Sequence, residues 1–338
     1  MGGISAGVDA QLFKSRFTAT RGIVVGLACQ FLLLPFLGFC SARAFALPDV
    51  LGATLIATTC SPGGAYSNWW CSLFNADLAL SVAMTACSSV VSTILMPLNL
   101  FVYVRLTYGS SLLVDWWKLT LSLGVALSAI VSGIAVSYYL PSWRGRFNAL
   151  GNLAGVALIV FGVLTSSRGE PLWNKDLRFY ASVSLPCVLG LLVAWALARL
   201  SRLEAPQRVA VTVETCYQNT GVALTLALAS FPKEQQPAAA GVPLLYGLVE
   251  LLLLPLFLLL AWRLGMTYAP REEWLHLVLL RDYQPQAPGA SAGAAGPAPD
   301  AKEGAREAEW PPAEAFSAAD ASDPVPEAIL VTGTVLRL

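Results

Sequence analysis

Eight apolar runs, each near the length that crosses a bilayer, occupy most of this chain: 21–44, 50–72, 78–103, 117–140, 148–166, 178–198, 208–231 and 241–264. About 20 mostly apolar residues make one spanning helix. Lipid offers no partner to a backbone N–H or C=O, so each run must satisfy its own backbone, which a helix does. The expected class is therefore an all-α integral membrane protein. The composition agrees, with 56 % hydrophobic and only 12 % charged residues, where a soluble domain averages about 25 % charged.

Two of the runs are interrupted by polar clusters. The first is Cys60-Ser61-Pro62-Gly63-Gly64-Ala65-Tyr66-Ser67-Asn68, and the second is Glu214-Thr215-Cys216-Tyr217-Gln218-Asn219. Pro62 removes a backbone donor and clashes with the preceding turn. Gly63 and Gly64 allow the backbone a close approach to a neighbour. A helix breaks here, and the freed backbone groups must face protein or a water-filled cavity. The bland alternative is a kink whose Ser67 and Asn68 only satisfy those groups. Glu214 at that depth costs roughly 3 kcal/mol or more, and no Lys or Arg occurs between Arg208 and Lys233 to pair with it. A protonated glutamate making hydrogen bonds is the competing reading.

Other oxygens recur on the remaining spans. Glu214 and Gln218 are four apart and share a helix face. Ser81, Thr85 and Ser88 also lie on one face, though such hydroxyls are often packing glue. Gln30 lies mid-span with Pro35 close behind. One negative charge among neutral oxygens suits hard monovalent cations, and two Na⁺ ions could share Glu214. His276 is the sole histidine, and the seven cysteines show no C-x-x-C spacing. No zinc site, disulfide framework or enzyme chemistry is expected. A net charge of zero gives no case for nucleic acid.

Basic residues orient the spans. Eleven lie at one set of ends (Lys14, Arg16, Arg21, Arg144, Arg146, Arg199, Arg202, Arg208, Arg263, Arg271, Arg281) and seven at the other. The positive-inside rule places the first set, and the C-terminus, in the cytoplasm. Residues 271–283 are expected to form a short amphipathic helix on the membrane surface. From 284 to 338 the chain turns rich in Ala, Gly and Pro, and a disordered cytoplasmic tail is expected. Its last residues, Thr334 to Leu338, are a weak candidate for strand addition to a partner protein.

These clusters resemble the bile acid:sodium symporter family. Cys60-Ser61-Pro62-Gly63-Gly64-x-x-Ser67-Asn68 is similar to its first crossover motif. Asp77 to Thr85 is similar to the start of the next helix, and Glu214-Thr215-x-x-Gln218-Asn219 to the second crossover. Pro243-Leu244-Leu245-Tyr246, with Glu250 following, resembles the last span of animal-type members. The resemblance covers about residues 1–270.

It implies an inverted-repeat transporter with core and panel domains and two crossed discontinuous helices. It implies a first sodium site at Ser67, Asn68, Ser81, Thr85 and Glu214. The second would use Gln30, Glu214 and Gln218 with the carbonyls of Thr215 and Tyr217. An organic anion would sit near Ala65 and Asn219, where half-helix N-termini favour negative groups. The implied function is sodium-coupled symport of a steroid-conjugate-like or smaller carboxylate anion, in the plasma membrane or an organelle membrane. The alternative is a non-transporting sodium and ligand sensor. Ala65 stands where members usually carry a polar residue, and Tyr66, Trp69 and Trp70 crowd the same place. Met1 to Gly7 resembles the end of the family's first span, so either that helix has been lost or the chain is incomplete there.

Overall fold

A computed structural model describes residues 20–64, 66–109, 174–283 and 285. The expected spans at 117–140 and 148–166, the tail beyond 285 and Ala65 lie outside the described residues. Those that are described are helical, with a single isolated β-bridge. Helix α1 runs Arg21–Ala44. The first broken span is α2 (Asp49–Thr59) and α3 (Tyr66–Leu73), followed by the long α4 (Leu78–Tyr108). Helix α5 is Leu177–Leu200. The second broken span is α6 (Ala205–Cys216) and α7 (Thr220–Ser230), followed by α8 (Gln236–Arg263) and the short α9 (Leu275–Leu280).

The order of long helix, broken helix, long helix thus occurs twice. The starts of α5, α6, α7 and α8 trail those of α1, α2, α3 and α4 by 156, 156, 154 and 158 residues. Helices α1 and α5 pack antiparallel. Arg178 Nε donates to Phe45 O at 2.6 Å and Ser41 Oγ to Ser182 O at 2.6 Å, while Leu34 lies directly over Gly190.

Local chemistry starts and bends these helices. The Asp77 carboxylate accepts from Leu80 N–H at 2.9 Å, and Asp176 accepts from Phe179 N–H at 3.0 Å. Each satisfies an N–H that the first turn leaves without an intrahelical partner. Pro35 has no N–H to give the carbonyl four residues back. That carbonyl, Phe31 O, accepts instead from Asn99 Nδ2 on α4 at 2.8 Å. A π-helical turn, Cys29–Leu33, precedes it and contains Gln30. Such bulges frequently mark functional sites. Along α2 the hydroxyls of Thr54 and Thr58 fold back onto Val50 O and Thr54 O at 2.7 and 2.8 Å, which hides them from lipid.

Asn75, Pro206 and Tyr268 meet at one end of the fold. Asp77 N–H donates to Pro206 O at 3.3 Å, and Tyr268 N–H to Asn75 O at 2.9 Å. Phe45, Leu47, Tyr108 and Arg178 meet at the other, where Tyr108 OH donates to Leu47 O at 3.1 Å. That contact lies at the last turn of α4, which runs five residues past the expected 103.

The segment after α8 folds back on the first of these ends. Asn75 Nδ2 donates to Val278 O at 3.0 Å and Arg281 O at 3.2 Å, and its Oδ1 accepts from Tyr283 N–H at 2.8 Å. Within 271–283 only Leu275–Leu280 is helical, and Val278 is buried. Asn75 itself is left-handed, with φ 55°, which asparagine tolerates better than most residues. Asn75→Ala should remove three hydrogen bonds and strain the turn, costing about 2–4 kcal/mol. Limited trypsin digestion would register it as faster cleavage at Arg271 and Arg281; unchanged cleavage would contradict the clamp.

Candidate functional site

The two breaks pair with each other. Gly63 and Gln218 form an antiparallel bridge. Gly64 N–H donates to Tyr217 O at 3.0 Å, and Asn219 N–H donates to Pro62 O at 2.9 Å. Backbone groups freed by Pro62 and by the break at 217–219 therefore satisfy one another. The close approach depends on glycine. A Cβ at Gly63 would lie 2.7 Å from Glu214 Oε1, and one at Gly64 would lie 2.6 Å from Tyr217 Cε1 and 2.9 Å from Gln218 O.

A first polar cluster sits on one side of this crossing. Ser81 Oγ lies 2.8 Å from Asn68 Oδ1 and 3.0 Å from Glu214 Oε2. Thr85 Oγ1 lies 2.5 Å from Glu214 Oε1, 3.3 Å from Asn68 Oδ1 and 3.0 Å from Ser81 O. Ser67, buried beside them, donates its Oγ–H to Gly64 O at 2.7 Å. All five side chains are buried. The Ser81 and Thr85 hydroxyls bring one proton each. They face the Asn68 carbonyl, two carboxylate oxygens and a backbone carbonyl. Acceptors outnumber donors, and a positive charge is what such a set lacks.

A second cluster lies around Gln218. Gln30 Nε2 donates to Gln218 Oε1 at 2.8 Å and to Ser61 O at 2.9 Å. Ser61 Oγ lies 3.3 Å from Gln218 Oε1, and Gln218 Nε2 donates to Thr215 O at 2.7 Å. Gln30 Oε1 and Thr215 Oγ1 are buried without a partner among the described residues. The Tyr217 carbonyl is engaged by Gly64 N–H.

The structure thus gathers Ser67, Asn68, Ser81, Thr85 and Glu214 into one cluster, and Gln30, Thr215 and Gln218 into another, with the Glu214 carboxylate against Gly63 at the crossing. Ser88 is not among them; its hydroxyl donates to Thr85 O at 3.1 Å, within its own helix. Asn219 caps α7, its Oδ1 accepting from Val222 N–H at 3.1 Å. The Tyr66 and Tyr217 rings meet edge to face nearby, centroids 6.4 Å apart.

Two contributors escaped the sequence reading. Ser61 stands in the quoted motif, but a serine before Pro62 carries no separate signal. Glu250 carries no sequence signal beyond its place after Pro243-Leu244-Leu245-Tyr246. Its Oε1 accepts from Gln218 N–H at 2.6 Å, and its Oε2 is buried without a partner among the described residues. No Lys or Arg among the described residues pairs with Glu214 or Glu250. An all-oxygen set holding unbalanced negative charge fits a hard cation.

The fold and site define an all-helical membrane protein whose two broken spans enclose an acceptor-rich centre. Residues 1–170 match the profile of the Sodium Bile acid symporter family, and the chain belongs to that family, whose members are transporters and not enzymes. It is 28 % identical over 249 residues to the ileal sodium/bile acid cotransporter of Cricetulus griseus, covering 72 % of this chain and 71 % of that one. It is 27 % identical over 251 residues to the sodium-dependent organic anion transporter of Homo sapiens, covering 74 % and 67 %. It is 30 % identical over 250 residues to the P3 protein of Bos taurus, covering 71 % and 51 %.

Proposed function

We propose that this chain is a sodium-coupled symporter of an organic anion. The surplus of oxygen acceptors around Glu214, with no basic side chain among the described residues to balance it, carries the reading. The names of the two sodium-dependent relatives support the coupling ion and the class of cargo. Ser67, Asn68, Ser81, Thr85 and Glu214 would hold one Na⁺. Gln30, Glu214 and Gln218, with the Thr215 and Tyr217 carbonyls, would hold the other. The anion would rest by Ala65 and Asn219. Capping uses the Asn219 oxygen, which leaves its amide N–H groups for an acceptor, and the N-termini of α3 and α7 add favourable dipoles there.

The repeated helix order, the antiparallel α1–α5 packing and the paired breaks support an inverted repeat. The described helices would form the core, which rocks against a panel to expose the crossing to either side in turn. Sodium binding replaces the missing positive charge at Glu214 and holds α4, α6 and the first break together. The anion site is thereby organised before the core moves. Two Na⁺ with one monovalent anion carry one net positive charge inward, worth about 2.3 kcal/mol per 100 mV. The Asn75 end, where basic residues concentrate, would face the cytoplasm, with the plasma membrane as the setting.

Reconstituted full-length protein tests this directly. Radiolabelled taurine-conjugated bile acid, steroid sulfate and pyruvate would each be offered under an inward Na⁺ gradient, with choline as control. Accumulation of at least one under Na⁺ alone is expected. Equal entry in Na⁺ and choline would sink sodium coupling, and Na⁺ binding without flux of any anion would favour a sensor. A finer test is Ser81→Ala. Removing one oxygen from the first cluster should weaken half-maximal sodium activation about tenfold, equivalent to about 1.4 kcal/mol, and an unchanged sodium curve would remove Ser81 from the site.

A further inference from the structure

We propose that Glu250 is the counter-charge of the second sodium ion, acting through Gln218, so that two ions are matched by two carboxylates. This rests on the two-ion reading of the crossing. Glu214 carries one negative charge, and both of its oxygens already face Ser81 and Thr85. Before the anion arrives, two monovalent cations beside that single carboxylate would leave a net positive charge buried at the crossing. Buried charges are costly enough that they are found paired.

Glu250 supplies what is missing. It is fully buried and reaches from α8 to the second break. Asp77, also buried, sits at the end of the fold and caps the start of α4. The Glu250 carboxylate has one partner, the Gln218 N–H at 2.6 Å, and its second oxygen has none among the described residues. A carboxylate held by a single amide is under-compensated by itself.

Gln218 links it to the second cluster. The residue whose N–H meets Glu250 presents its side-chain oxygen to Gln30 and Ser61. The field of Glu250 therefore reaches those oxygens from behind, through one residue, where a low dielectric leaves it strong. Glu250 is a positioning residue on this account: it fixes the Gln218 backbone and biases the site toward a cation without touching the ion. A neutral cap on the broken helix would need only an acceptor at Oε1, which glutamine also offers.

The test is equilibrium binding of radioactive Na⁺ to purified full-length protein, with sodium-dependent thermal stabilisation followed in parallel and choline as control. Wild-type protein should bind two ions. E250Q should bind one, with a shallower stabilisation curve, and E250D, which keeps the charge, should bind two more weakly. E250Q binding two ions at wild-type affinity would overturn the proposal and leave Glu250 a cap. Should E250Q fail to fold, E250D decides: two ions support the charge role, and one ion overturns it. Failure of the underlying two-ion reading looks different, since wild-type protein itself would then not bind two Na⁺.

Discussion

Glu214→Gln will abolish the response to sodium while leaving the fold intact in sodium-free buffer. The amide keeps the shape of the carboxylate and brings two donors into a cluster that has too few. Asn68 Oδ1 and Ser81 O are at hand to accept them, so stability in choline should be unchanged or slightly higher. What disappears is the increment from Na⁺. A single ion at a hundred times its dissociation constant stabilises by about 2.7 kcal/mol, which for a chain of 338 residues is a melting shift of about 4 °C. Differential scanning fluorimetry in Na⁺ and choline, paired with uptake, reads both halves of the result. Retained sodium stabilisation in the variant would remove Glu214 from the site. A large loss of stability in choline would mean that the carboxylate serves the fold and not an ion.

Gly64→Ala should be severely damaging for the addition of a single methyl. Its Cβ would fall 2.6 Å from the Tyr217 ring and 2.9 Å from the Gln218 carbonyl. The ring could swing aside, but the carbonyl belongs to the opposing break and cannot move without opening the bridge. Overpacking of this kind costs about 1–3 kcal/mol. Losing the Gly64 N–H to Tyr217 O bond would strand a donor and an acceptor at a further cost of about 1–3 kcal/mol each. We expect a protein melting many degrees lower, with sodium stabilisation lost as both clusters separate. Gly247→Ala is the matched control. Its Cβ would meet nothing closer than Thr220 Oγ1 at 3.4 Å, and alanine in place of glycine in a helix should be neutral or stabilising by up to about 1 kcal/mol. A Gly64→Ala protein that behaves like Gly247→Ala would disprove the packing account of the crossing.

The first break was legible because Pro62-Gly63-Gly64 is covalent chemistry: a missing donor and two missing side chains act wherever the chain goes. The second break has neither proline nor glycine, and its one local signal is Asn219, a favoured N-cap residue. Beyond that it was visible only through the cost of Glu214 in lipid and through resemblance. Its physical cause lies elsewhere in the chain, in the Pro62 carbonyl, the Gly64 N–H and Glu250, each of which bonds the backbone at 217–219. Partners over 30 to 150 residues away leave no periodic trace. The π-helical turn at Gln30 was hidden for the same reason. Pro35 announces a free carbonyl, but Asn99, which satisfies it, is known only once α1 and α4 pack.

The mutual pairing of the breaks also bears on how such a chain could be divided. A half-length polypeptide holding Pro62, Gly63 and Gly64 but no second break would insert with open backbone groups in the middle of the bilayer and nothing there to receive them. Its natural remedy is another copy inserted upside down, since only an antiparallel neighbour presents the reciprocal donor and acceptor. The present chain carries both reciprocal edges, at 62–64 and 217–219, in one polypeptide. Separately expressed halves should accordingly be found together or degraded, each serving as the other's missing solvent.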